Sequence, residues 1–344
     1  MSGGHCRRSW ATLICFFVGP VWVLVVSPAH AEEVVAPFTQ RPKVEVALGA
    51  WISAGETRWA HNASGGGSPF GNPTSKLIYQ DNSTNIAELT VKVPMGSKFF
   101  GRVNLGYAGG GGGTLTDNDY LAADGGDPSL VTQSDLSGNT TLYLNVDGGM
   151  RAYTFPNQRG GVDVFAGFQY WHQQYKAYGV YQLACSAAGA SVVIDPPAQT
   201  LCTPGAAPVS NSVLAITNTT NWYSIRVGGQ VEYQLTRHFG LQGSIALIPA
   251  SFLDNSDIHH LRTDLQQNPS FSMLGFGVGA DLDAGVKVMI VRNLFFNLGY
   301  RFWWNRMLTG TLTTYPVGAA SDSFPLTQFQ TYRYGATFGI SYTF

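Results

Sequence analysis

From Thr331 to Phe344 the chain alternates strictly between two classes of residue. Tyr332, Tyr334, Ala336, Phe338, Ile340, Tyr342 and Phe344 form one row; Thr331, Arg333, Gly335, Thr337, Gly339, Ser341 and Thr343 form the other. Successive side chains of a strand point to opposite faces, so the two rows face different surroundings. A soluble sandwich would bury the aromatic row, whereas a membrane barrel turns it to lipid and the small polar row to the lumen. The same alternation recurs between positions 220 and 236. There Tyr223, Ile225, Val227, Val231, Tyr233 and Leu235 make the apolar row, opposite Ser224, Arg226, Gly228, Gln230, Glu232 and Gln234. Leu142, Leu144, Val146 and Met150 stand opposite Asn145, Asp147 and Arg151, and Asn297, Arg301 and Asn305 are further lumen positions. Interior charges of this kind require partners or water.

Ten strands follow, at roughly 43–58, 75–93, 98–109, 139–153, 161–178, 220–236, 239–253, 269–284, 289–307 and 328–344. The expected fold is all-β: an antiparallel ten-stranded transmembrane barrel. The links near Pro94–Ser97, Phe155–Gly160, Arg237–His238 and Ala284–Lys287 are short, as periplasmic turns are; those near 59–74, 110–138, 179–219, 254–268 and 308–327 are long, as extracellular loops are. Both ends of the barrel chain then lie on the periplasmic side. The Gly109–Gly113 run lacks the Lys-Ser/Thr and the helix of a phosphate loop, and is expected to be a flexible loop entry.

The start of the chain fits an exported protein. Arg7 and Arg8 precede an apolar run from Trp10 to Val26, and Ala29-His30-Ala31 supplies a small-residue cleavage site. Residues 1–31 are expected to be a signal peptide and 32–344 the barrel, in the bacterial outer membrane. Composition changes the picture little: 41 Gly, 13% aromatic and 12% charged residues suit a barrel, and a net charge of −1 gives no basis for binding nucleic acid. Cys6 and Cys15 lie in the leader; Cys185 and Cys202 remain as an expected disulfide closing one loop.

Candidate chemistry sits in two of the long connections: Asp117-Asn118-Asp119-Tyr120, and Asp254-Asn255-Ser256-Asp257-Ile258-His259-His260. Asp-x-Asp and Asp-x-His each place two functional groups on one face of an extended segment. An Asp beside a His favours the imidazolium and fixes the ring as a general base, while two close carboxylates share a proton. Asp and Asn are also common in turns for reasons of backbone bonding alone.

These segments, in their order and spacing, resemble the omptin family of ten-stranded outer-membrane proteases. Leu48-Gly49 followed by Ser53-Ala54-Gly55-Glu56-Thr57, the Asp117-x-Asp119-aromatic pair, Ala166-Gly167-Phe168-Gln169, the Asp257-x-His259 segment, Trp304-Asn305-Arg306 and the closing Tyr342-Thr343-Phe344 carry the likeness. The resemblance implies a peptidase that uses an activated water, without metal or other cofactor. His259 would be the base, Asp257 its orienting partner, and Asp117 with Asp119 would hold the water from the opposite wall. Asp254 matches an acidic position that selects a basic residue beside the cut bond. The implied partners are a polypeptide at the cell surface, outer-membrane lipid and lipopolysaccharide, although Phe168, Tyr170 and His172 stand where the family binds lipopolysaccharide through an acid and a base. Tyr120 replaces a usual Trp, and Ser256 adds one residue before the dyad. Strand parity turns Gln242 and Ser244 inward, so Asp257 and His259 reach the lumen only through a bulge between about Pro249 and Ser256. The alternative is a non-catalytic barrel serving as an adhesin, binding surface or porin-like protein.

Overall fold

A computed structural model of the protein describes residues 15–18, 21–24, 43–65, 70–120, 127–186, 192–203 and 206–344. The chain divides into two units, Met1–Ala36 and Pro37–Phe344. In the first, Cys15–Val18 and Val21–Leu24 pair as a short antiparallel ribbon. Arg7, Arg8 and the Ala29-His30-Ala31 site of the expected signal lie outside the described residues.

The second unit is a closed antiparallel barrel of ten strands. In chain order these are β1 Glu45–His61, β2 Ser75–Met95, β3 Phe99–Asp119, β4 Leu130–Thr154 and β5 Gly160–Cys185. They continue as β6 Val209–Gln234, β7 Phe239–His259, β8 Phe271–Val291, β9 Leu294–Thr314 and β10 Asp322–Thr343. Each strand pairs with its neighbours in sequence, and β10 closes the ring on β1, so no sheet edge is left open. The expected all-β transmembrane barrel is the observed fold.

The strands are longer than their lipid-facing halves. A barrel strand needs about 9–11 residues to cross a bilayer, whereas β2, β3, β7, β8 and β9 each run 21 residues. Outward-facing Leu48, Ile52, Val103, Ile225, Ile245, Leu282, Leu298 and Ile340 are exposed and form the apolar belt. Tyr170, Tyr223, Phe252 and Phe276, on four adjacent strands, make an aromatic collar with successive ring centroids 5.2, 6.3 and 5.3 Å apart. Above that collar the strands stand clear of the belt.

Three expectations are corrected here. The acidic segments at 117–119 and 254–259 lie on the upper ends of β3 and β7, not in loops. The Gly109–Gly113 run is strand rather than a flexible entry. The turn placed at Ala284–Lys287 falls instead at Arg292–Asn293, where Val291 pairs with Leu294. Asn293 takes the left-handed conformation there, with φ +68°, which Asn tolerates better than most residues. Upstream of it, Lys287 stays in β8 and its Nζ reaches Glu45 at 2.8 Å. Cys185 and Cys202 are bonded, as expected, and tie the end of β5 to the small Val192–Ile194/Gln199–Leu201 ribbon of the β5–β6 connection.

The lumen is packed rather than hollow. Arg226 lies between Asp147 (3.5 Å) and Asp281 (3.4 Å), and Arg102 donates to the same Asp147 from Nε and Nη2 at 3.0 and 2.7 Å. Arg301 is paired with both Glu88 and Asp283 and lies 5.0 Å over the ring of Trp51 and 5.3 Å over that of Trp303. Above this network Trp51, Tyr143, Trp171 and Trp303 are fully buried and meet edge to face, with centroids 4.7 to 6.4 Å apart. This aromatic layer divides the barrel. Toward the short turns lies a charged cavity of about 250 Å³, bordered by Glu45, Lys92, Arg102, Glu232, Lys287 and Arg301. Toward the long connections lies the candidate site.

Candidate active site

Two bulges aim the site. On β7, Ala246 and Ile248 are buried while Ile245 and Leu247 face lipid, so even positions point inward at first. The pairing of β7 then slips around Pro249 against both of its neighbours. Beyond the slip Ser251, Leu253, Asn255 and Asp257 are the buried row, and the inward parity is odd. Pro cannot donate to a ladder, which makes it a natural site for this extra residue. The inward row that carries Asp257 and His259 is therefore set by the break in register around Pro249.

The glycine run of β3 does the same work. Asn104 and Ala108 are inward below it, Leu115 above it. Gly110 has φ +90°, and the register against β4 shifts on either side of Gly111. A Cβ on Gly111 would lie 2.7 Å from Thr84 Oγ1 and one on Gly113 2.5 Å from the carbonyl of Gln80, so this crossing tolerates only glycine. The result turns Asp117 and Asp119 inward. Four of the expected site residues thus reach the lumen only because their strands change face.

The two walls meet through Tyr79 of β2. Its hydroxyl donates to Asp257 Oδ2 at 3.3 Å, and Asn218 Nδ2 of β6 donates to the same oxygen at 2.9 Å. Asn218 is held in turn by Asn255 and Thr220, an amide ladder with bonds of 2.9 to 3.2 Å. The other oxygen of Asp257 faces His259 Nε2 at 3.6 Å, and neither atom has a hydrogen-bond partner among the described residues. The His259 ring rests edge-on against Phe271 with centroids 5.0 Å apart, and its backbone N–H donates to Ser270 Oγ at 3.0 Å. Ser75 Oγ donates to Asp117 Oδ1 at 3.3 Å.

These groups lie beyond the aromatic collar, and burial dominates their titration. Burial raises Asp257 to about 7 against the bonds from Asn218 and Tyr79, which favour the carboxylate. Burial lowers His259 to about 3, with the charges of Arg262 and His260 adding to the effect, so the imidazole is neutral and able to accept a proton. Asp117 is raised well above the carboxylate range by burial, then by the charges of Asp119 and Asp257. Asp119 is raised by burial, against Ser75 and Arg262. The pair is therefore disposed to retain a proton while Asp257 gives one up near neutrality.

Asp254 is not brought to this site. It belongs to the outward row, beside Asn221 and within electrostatic reach of Tyr170 on the collar. Asn255 holds the inward place instead. The resemblance to the omptins implied a substrate-binding role for Asp254; the shifted parity turns it away from the lumen. Tyr79, Asn218, Ser75, Ser270 and Arg262 complete the site and were not singled out from the sequence, since each joins it through a contact across strands or a turn. His61, at the end of β1, is likewise buried, close enough to act electrostatically on His259, and lowered by burial to about 4.

No protein-family model and no curated protein matches the chain. Among solved structures it is similar to the outer membrane protease OmpT from Escherichia coli, with a TM-score of 0.69 at 14% identity, covering 91% of this chain and 100% of that one. A Pseudomonas aeruginosa FadL homologue aligns over 88% of this chain and 90% of its own, at a TM-score of 0.29 and 9% identity, too low to compare in detail. The chain has the ten-stranded outer-membrane barrel fold of OmpT, the fold that its resemblance to the omptins led us to expect.

Proposed function

We propose that the protein is an omptin-like endopeptidase that hydrolyses peptide bonds with a water activated by Asp257 and His259. The observation that carries this reading is the convergence of Asp257 and His259 on β7 with Asp117 and Asp119 on β3, each wall re-aimed by its own bulge. A fold that needed these residues only as turn formers gains nothing from burying them.

In the reaction, a water between the walls loses a proton to His259 as its oxygen attacks the peptide carbonyl carbon. Asp257, ionised, stabilises the resulting imidazolium across the 3.6 Å gap, which closes as charge develops. Asp117 and Asp119 hold the water and share a proton with the tetrahedral intermediate. As the C–N bond breaks, the imidazolium proton passes to the departing amine. The substrate is a polypeptide reaching the mouth of the barrel. The outer surface contacts bilayer lipid, and the collar of Tyr170, Tyr223, Phe252 and Phe276 offers rings, rather than an acid and a base, to lipopolysaccharide.

Two experiments test this reading. The double substitution Asp117→Asn, Asp119→Asn keeps the side-chain shapes but removes the shared proton. Cleavage of a mixed peptide pool should fall at least about 100-fold, while the barrel keeps its heat-modifiable gel mobility. Retained cleavage would remove the pair from the mechanism. The pH profile tests the dyad separately. Asp257 must be ionised, so kcat/KM should rise with pH through about 7. Asn218→Ala removes a bond that favours the carboxylate, raises its pKa, and should move this rising limb to higher pH by about 1 unit. A limb that stays in place or moves to lower pH contradicts the assignment.

A further inference from the structure

We propose that the Cys185–Cys202 disulfide closes a strap that braces the two walls of the cleft against each other, so that peptide hydrolysis depends on its oxidised state. This rests on the peptidase reading above and concerns how that same site is held.

The base of the strap is anchored on the aspartate wall. Asp119, the last residue of β3, pairs with Leu130 of β4, and Leu130 pairs with Cys185, the last residue of β5. The backbone seals this corner: Ser129 N–H donates to the carbonyl of Asp119 and Ser186 N–H to the carbonyl of Ser129, both at 2.8 Å. The bond from Cys185 to Cys202 then fixes the Val192–Ile194/Gln199–Leu201 ribbon to the corner. Cys202 N–H adds a second hold by donating to Gln182 Oε1 of β5 at 2.6 Å.

The tip of the strap is anchored on the histidine wall. Asp195 follows the ribbon's first strand, and its N–H donates to the carbonyl of Leu261, just beyond His259 and His260, at 2.9 Å. The ribbon is docked rather than raised into solvent. Ile194, Leu201 and Leu261 are buried in one apolar cluster, while Val193 on the ribbon's other face is 60% exposed. The path from wall to wall is bonded throughout: Asp119 to Cys185 across the ladder, Cys185 to Cys202 through sulfur, then along the ribbon to Asp195 and Leu261. An isolated two-stranded ribbon is marginal by itself, so its place depends on these anchors. A water shared between opposite walls makes the chemistry sensitive to their separation, since a misplacement of about 1 Å can cost about 100-fold.

An external dithiol releases the base. Two thiol–disulfide exchanges move two electrons and two protons to the cysteines, leaving Cys185 and Cys202 as thiols and the reagent as a cyclic disulfide. The ten ladders of the barrel are untouched by that reaction.

The test measures kcat and KM of the folded, oxidised protein on a quenched peptide before and after dithiothreitol. Thiol labelling confirms the reduction, and heat-modifiable gel mobility confirms the barrel. The expected result is a kcat lowered at least about 10-fold with KM changed less than about 3-fold, and recovery on reoxidation with oxidised glutathione. Asp195→Pro removes the donor at the tip and keeps the disulfide. It should lower kcat to a similar extent, and adding Cys185→Ser with Cys202→Ser should lower it no further, because one brace is not released twice. A kcat unchanged by reduction overturns the inference and leaves the peptidase standing. So does an Asp195→Pro protein with wild-type kcat, which would limit the disulfide to stabilising its own loop. No cleavage by the oxidised wild type overturns the peptidase and the inference together.

Discussion

His259→Ala is expected to lower kcat by about 10²- to 10⁴-fold, the range that a positioned general base contributes. The barrel should survive the change. Among the described residues the ring makes no hydrogen bond at Nε2, it packs edge to face with Phe271, and the backbone N–H bond to Ser270 is independent of the side chain. Burial already holds the imidazole neutral, so little electrostatic energy of folding is lost with it. KM should change far less than kcat, because the base acts on the water rather than on the peptide. The check is a steady-state assay beside gel mobility with and without heating. A kcat within twofold of wild type, in a correctly folded variant, removes His259 from the mechanism.

The largest effect on stability is expected at Asp147, deep in the lipid-spanning part of the lumen. The residue is 3% exposed, and its carboxylate serves two guanidinium groups, Arg102 from β3 and Arg226 from β6. Replacing it by Ala leaves both cations buried, and Arg226 then keeps Asp281 at 3.4 Å as its ion-pair partner among the described residues. Breaking one side of such a network costs about 3–5 kcal/mol. Urea unfolding of the refolded protein should show that loss as a lower midpoint with an unchanged slope. Asp147→Asn keeps an acceptor for Arg102 and should fall between the two. A midpoint for Asp147→Ala within about 1 kcal/mol of wild type would show that water rather than Asp147 carries the charge of these arginines.

Much of the barrel is legible in the sequence because alternation is a local signal. The apolar rows at Tyr223–Leu235 and Tyr332–Phe344 settle which face meets lipid, and the lumen charges Asp147, Arg226 and Arg301 fall on the opposite row. Strand ends are less legible, since strands that rise beyond the membrane lose the apolar row while keeping their ladder. For that reason the segments at 117–119 and 254–259 read as loops. The need for a bulge near Pro249 can be inferred from parity. The one at Gly110 cannot, because glycines carry no side chain to reveal a change of face. Asp254 shows the limit of carrying a role over from a resemblance: it stands next to the inward Asn255 and faces out. Tyr79, Asn218 and Arg262 are invisible to a linear reading because their roles arise from strands that are far apart along the chain.

The most direct measurement is a time course of a mixed synthetic peptide pool, containing acidic, neutral and basic cut sites, with the purified refolded protein, followed by mass spectrometry. The account predicts new peptide termini that accumulate with time and enzyme concentration, at a rate that rises through about pH 7. A pool that remains intact across that pH range, with a barrel shown to be folded, would contradict it and leave a binding barrel with a buried but idle Asp257 and His259.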